Sequence, residues 1–171
     1  MPDNTKINTP HGSGSPFDKT AQHTAKREAI LSESARLFNS KGARATTLAD
    51  VAATLGLTKT SLYYYVRTKE DLIFQCYAST LNRMMSKLDQ IADAHDSARE
   101  RISAYIVAHF DDIRKAKQGQ GYHMAALLEI ASLKGEKREQ IEALYIQMFL
   151  KLRSFIIEGI SSGELRSVKP T

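Results

Sequence analysis

Between Thr58 and Lys69 the chain sets hydroxyls, phenols and cations close together: Thr58, Lys59, Thr60, Ser61, Tyr63, Tyr64, Arg67 and Lys69. Groups of this kind donate to phosphate oxygens, and in the major groove of DNA they meet base acceptors and thymine methyls. A second set, His109 with Asp112 three residues on, plus His123 and Glu129, could in principle hold a metal or move a proton. It lacks the spacing of a known zinc helix, no glycine loop cradles a phosphate, and Asp111 and Asp112 are expected on a solvated face. Catalysis is therefore set aside: no catalytic residue, metal or cofactor is expected.

The first set needs a scaffold, and the flanking residues supply one. Thr47 is a helix cap answered by Asp50, and Leu48, Val51, Ala52 and Leu55 then follow one buried face for about two turns. Gly56 stands where the chain must turn through a left-handed residue, and Leu57 returns to the core. Thr58 caps the next helix, which turns Leu62 and Val66 inward and leaves Lys59, Thr60, Ser61, Tyr63, Tyr64 and Arg67 outside, with Tyr65 expected mostly in the core. Thr68 with Asp71 caps a third helix, so Lys69 lies in its first turn, where a cation opposes the helix dipole. A charge so placed suggests a phosphate partner. Upstream, Ala29, Ile30, Ser34, Leu37 and Phe38 mark a helix from about Gln22 to Lys41, closed by Gly42.

These segments resemble the DNA-binding domain of tetracycline-repressor (TetR) family regulators. The matching runs are Leu37-Phe38-Asn39-Ser40-Lys41-Gly42, Thr46-Thr47, Val51-Ala52-Ala53-Thr54-Leu55-Gly56-Leu57, and Leu62 through Leu72 with its three consecutive tyrosines and Lys69-Glu70. Val66 stands where Phe is commoner and Thr60 where many members have Gly. The resemblance implies that Lys59, Thr60, Ser61 and Tyr64 face bases, while Thr47, Thr58, Tyr63, Arg67 and Lys69 hold the phosphate backbone.

Charge agrees. Of the formal net charge of +5, residues 1–70 carry ten Lys/Arg against six Asp/Glu, and the remaining 101 carry fourteen against thirteen. Positive charge gathers in the part that would release counterions from DNA. Cys76 is the one cysteine, so no intrachain disulfide forms, and a cytoplasmic protein is expected. No charged-then-apolar leader and no apolar run near 18 residues is visible, so no membrane partner is expected.

The expected fold is all-α in three parts: a disordered arm over 1–20, a three-helix helix-turn-helix domain over 21–68, and a helical regulatory body over 69–171. The body reads as a long helix bearing Leu72 to Ile91, a helix opened by Ser97 and Glu100 with Ile102, Tyr105, Ile106, His109, Phe110 and Ile113 on its apolar side, a shorter apolar helix over Tyr122–Leu133, and a last helix from Glu136 to Ser162 ended by Gly163. The resemblance implies a ligand cavity inside such a body, with Met84, Met85, Tyr105, His109, Phe110, His123, Met124, Leu127, Tyr145 and Phe149 as candidate lining. Cys76 is expected as a small core residue.

In the family, two further helices usually build the dimer interface; this chain reaches Thr171 where those helices commonly begin, so they are expected to be lacking. A shortened chain or an atypical pairing surface would follow. The expected function is a homodimeric repressor that leaves double-stranded operator DNA when a small, largely apolar effector binds the body. The alternatives are a helical protein–protein adaptor and a truncated regulator without effector response.

Overall fold

The structure is a computed structural model that describes residues 16–167, with side chains from Lys19. Six α-helices follow in order: α1 (Pro16–Lys41), α2 (Leu48–Thr54), α3 (Lys59–Tyr63), α4 (Lys69–Ala94), α5 (Ala98–Lys117) and α6 (Gly135–Ser161), with a single 3-10 turn, Ile130–Ser132, before α6. Among the described residues there is no strand, and no helix is long and apolar enough to cross a membrane.

Helices α1 to α3 close around Ile30, Leu31, Ala35, Phe38, Val51, Ala52, Leu62 and Val66, all nearly free of solvent. Each fully buried aliphatic side chain contributes about 1.5–3 kcal/mol, enough to hold helices as short as α2 and α3 that could not form alone. Gly56 turns the chain between them at φ +63°. Helix α4 is the spine: it packs on α1, α5 and α6, burying Leu72, Ile73, Cys76, Tyr77, Leu81, Leu88 and Ile91. At the far end of α6, the Leu165 amide donates to the Gly159 carbonyl. The Leu165 side chain covers that glycine so closely that a Cβ there would stand 2.6 Å from Leu165 Cδ1.

Three expectations need correction. The shorter helix over Tyr122–Leu133 does not form; apart from the Ile130–Ser132 turn this stretch is an irregular ribbon. Its backbone donors are taken by side chains of other elements instead of by its own carbonyls: His123 N–H donates to Ser32, Ala125 N–H to Thr80, Ala126 N–H to Asn39 and Glu129 N–H to the Tyr77 hydroxyl. Helix α1 already runs at Pro16, the first described residue, inside the stretch expected as an arm. The rest of that arm, residues 1–15, lies outside the described residues. Finally, the apolar stripes of α5 and α6 are only half buried: Ile106, Phe110, Tyr145, Phe149, Ile156 and Ile160 are exposed, since each helix carries more apolar circumference than α4 can cover.

Candidate nucleic-acid interface and body cleft

The interface is organised by its caps. Thr47 Oγ1 accepts from the Asp50 amide at 3.1 Å, and Asp50 Oδ2 accepts from the Thr47 amide and hydroxyl, both at 2.8 Å. The Thr47 backbone N–H, then its hydroxyl, hold the Asp50 carboxyl below its ordinary range. Thr58 Oγ1 accepts from the Ser61 amide at 3.1 Å and lies 2.8 Å from the Ser61 hydroxyl, so those two hydroxyls are a coupled pair at the start of α3. Thr68 accepts from the Asp71 amide, while Asp71 reaches back to the Arg67 amide.

Caps and core plugs leave one face of α3 open. Leu62 and Val66 are buried, whereas Thr47, Thr58, Lys59, Thr60, Ser61 and Arg67 are exposed, Tyr63 is 44% exposed and Tyr64 76%. Lys59 Nζ lies 5.8 Å from the Tyr63 ring centroid. Lys69 is half-buried and donates to the Arg44 carbonyl at 2.8 Å, a local acceptor that offsets its poor placement at a helix start. Tyr65 is half-buried, and sequence reasoning missed its neighbour: His23 of α1 stacks on the Tyr65 ring at 4.9 Å and meets Tyr64 edge-on at 5.6 Å. No local signal could have found a contact spanning some forty residues. Exposed Lys26 on α1, and Lys41 and Arg44 at its end, add cations that the sequence reading did not single out.

In the body, α4, α5 and the start of the ribbon enclose a cleft of about 260 Å³. Of the ten candidate lining residues, Met84, Tyr105, His109 and Met124 share it. The Tyr105 and His109 rings stack at 6.0 Å, and the Arg83 guanidinium lies 3.8 Å from the Tyr122 ring centroid. Lys87 and Asp112 form an ion pair at its wall. Burial raises the phenol pKa of both Tyr105 and Tyr122. Met85 and Leu127 pack on the core, and His123 borders a separate groove with Met124 and Asn39. Phe110, Tyr145 and Phe149 do not line the cleft; they sit on the surface because their helices turn them away from α4.

The His109, Asp112, His123 and Glu129 set is not assembled. Asp112 pairs with Lys87, and Glu129 Oε1 accepts from the Ala43 amide at 3.2 Å. Among the described residues no three His, Cys, Asp or Glu side chains converge as a metal site would require. Cys76 donates to the Leu31 carbonyl at 3.5 Å, and burial pushes its thiol up to about 12. It is a core residue with almost no thiolate at neutral pH.

Ribbon and head are stitched together. Asn39, near the end of α1, donates to the Met124 carbonyl and accepts from the Ala126 amide, both at 2.8 Å. With Glu129 on Ala43, this ties the cleft wall to the turn that precedes α2.

Comparison with known proteins decides the family. The family described as bacterial regulatory proteins, tetR family, matches residues 30–76. The chain is a member of the tetR family. It is 27% identical to an uncharacterized HTH-type transcriptional regulator, YfiR of Bacillus subtilis, over 88% of this chain and 74% of that protein. It is 28% identical to the transcriptional repressor KstR2 of Mycolicibacterium smegmatis over 56% of this chain and 47% of that one. Among solved structures it is similar to AibR in complex with isovaleryl coenzyme A and operator DNA (26% identity, TM-score 0.68, covering 84% of this chain and 76% of that one). It is also similar to PfmR of Thermus thermophilus (28%, TM-score 0.64, covering 82% and 75%). These relatives are transcriptional regulators, and this TetR-family protein is a transcriptional regulator with a helix-turn-helix head and a helical body.

Proposed function

We propose that this regulator represses transcription by laying α3 in the major groove of an operator as a homodimer, and that a small effector in the α4–α5 cleft releases it. The observation that carries the reading is the stitched ribbon: its Met124 lines the cleft and is held by Asn39 of the head. An occupant that displaces Met124 and Tyr122 pulls on α1 and, through Glu129, on the turn before α2. Tilting of α4, which runs from the head to the cleft, adds to this motion. Lys59, Thr60 and Tyr64 face bases; Thr47, Thr58, Ser61, Tyr63, Arg67 and Lys69 position the backbone, the Ser61 hydroxyl being paired with that of Thr58 at the helix cap. A homodimer reads half-sites about one helical turn apart. Full switching requires the effector to favour the released state by about 5.5 kcal/mol.

That AibR was crystallised with isovaleryl coenzyme A and operator DNA supports an effector-responsive reading here by likeness of fold and sequence. The cleft offers both apolar and charged walls, so the effector is expected to be largely apolar with a polar end. The test is fluorescence anisotropy with DNA from upstream of the gene over a salt series, with and without whatever small molecule copurifies. Salt-sensitive binding weakened by that molecule supports the reading. Binding indifferent to it leaves a regulator without effector response, and absence of DNA binding favours a protein–protein adaptor, to which the exposed apolar faces of α5 and α6 lend weight.

A further inference from the structure

The open face of α3 is braced from α1. His23 stacks on the Tyr65 ring with centroids 4.9 Å apart and planes at 27°, and it meets Tyr64 edge-on at 5.6 Å and 78°. Tyr64 in turn meets Tyr65 edge-on at 5.4 Å and 80°. Offset-stacked and edge-on pairs at these separations attract, so the three rings form a closed cluster in which moving one disturbs the other two.

Tyr64 is where such support matters. Helix α3 is five residues long, Tyr64 is its C-terminal cap, and the Tyr64 residue is 76% exposed. A phenol so free of the core would lose rotational freedom on meeting a base edge, unless another group had already fixed it. Tyr65 supplies a firm base for the cluster: it is half-buried, and its carbonyl accepts from Gln75 Nε2 at 3.2 Å. Gln75 Oε1 accepts from Arg27 Nε and Nη2 at 3.2 and 2.9 Å. Arg27 lies one turn beyond His23 on α1, so one face of α1 holds the end of α3 twice, through Gln75 and through the imidazole ring.

We propose that His23 is a specificity-determining positioning residue: it fixes the Tyr64 ring, directly and through Tyr65, and thereby sets the base preference that α3 reads through Tyr64. The proposal rests on the base-facing role given to Tyr64 in the preceding reading. What the role requires at position 23 is a flat ring, so Phe should serve and Ala should not.

The test is selection on a pool of randomised duplex DNA by the 171-residue chain, with bound sequences read for wild type, His23→Ala, His23→Phe, Tyr64→Ala and Lys59→Ala. His23→Ala should weaken by about 2- to 10-fold the preference at the base positions that Tyr64→Ala weakens, and His23→Phe should restore it. Positions affected by Lys59→Ala should keep their preference. His23 is exposed, so the melting temperature should hold. Without DNA, fluorine NMR of the chain carrying fluorotyrosine at its seven tyrosines gives a second readout. The lines assigned by Tyr64→Phe and Tyr65→Phe should shift in His23→Ala while the other five stay.

Unchanged preference in His23→Ala, a uniform loss at every position, His23→Phe as impaired as His23→Ala, or Tyr64 and Tyr65 lines indifferent to residue 23 overturns the proposal. A Tyr64→Ala variant that selects as the wild type does removes the base-facing role of Tyr64 and the proposal with it. A selective Tyr64 beside a silent His23→Ala removes the proposal alone, so the two failures are distinguishable.

Discussion

Two surfaces of this molecule expose large side chains, and they do so for different reasons. On α3 the exposed groups end in oxygen or nitrogen: Lys59, Thr60, Ser61, Tyr63 and Tyr64. Water satisfies them, so this face costs little when empty and can exchange its solvent for phosphates and base edges. On α6 the exposed groups are mostly hydrocarbon, Ile146, Phe149, Ile156, Ile157 and Ile160, which water cannot satisfy. The first surface waits for a polar, charged partner and tolerates waiting; the second gains from any apolar cover. Exposure alone therefore says little about the partner, and the chemistry of the side-chain tips says much more.

The largest expected effect sharpens the contrast from the inside. Phe155, on the buried face of α6, should cost about 3–5 kcal/mol of stability when changed to Ala, seen as an earlier urea transition. Lys59→Ala, on the polar face of α3, should leave that transition within about 0.5 kcal/mol and lower operator affinity by about 1–3 kcal/mol in anisotropy titrations. A large loss of stability for Lys59→Ala would break the comparison. Thr58→Ala removes the cap of α3 and should cost about 1 kcal/mol in thermal melts, with DNA affinity falling in proportion.

Smaller effects probe single charges. Lys69→Ala should flatten the salt dependence of DNA binding by about one unit in log–log slope. An unchanged slope would leave Lys69 only as the tie to Arg44. Asp50 has its folded pKa depressed by the Thr47 N–H and hydroxyl, so its stabilising effect is present above the unfolded value near 4 and is lost as pH falls through the folded one. The stability gap between wild type and Asp50→Asn, followed by acid titration of the circular dichroism signal, should be flat at neutral pH and close below about pH 4.

How far the sequence could be read depended on the range of the forces involved. The head was legible because its signals are local: Thr47, Thr58 and Thr68 each act on an amide three residues away, and Gly56 decides a turn by its own backbone. The ribbon reads as a helix in sequence because Tyr122 to Leu133 is as apolar as a buried helix. What takes the place of helical hydrogen bonds is a set of distant side chains, among them Asn39, whose amide grips Met124 and Ala126 from 85 and 87 residues away. Candidate cleft residues divided for a related reason. Met84, Tyr105 and His109 face a shared space across α4 and α5, but the apolar excess on α5 and α6 makes inward and outward stripes indistinguishable by periodicity, which is how Phe110, Tyr145 and Phe149 came to be expected inside.

The stitches on the ribbon carry one more implication. Because Ser32, Asn39, Tyr77 and Thr80 each hold a separate backbone amide, the segment can be unfastened one residue at a time without unwinding a helix. Descendants of this chain could thus retune how firmly the ribbon is held through single codon changes, those at Ser32 and Asn39 acting on its tie to the head, and leave the surfaces that meet other molecules untouched.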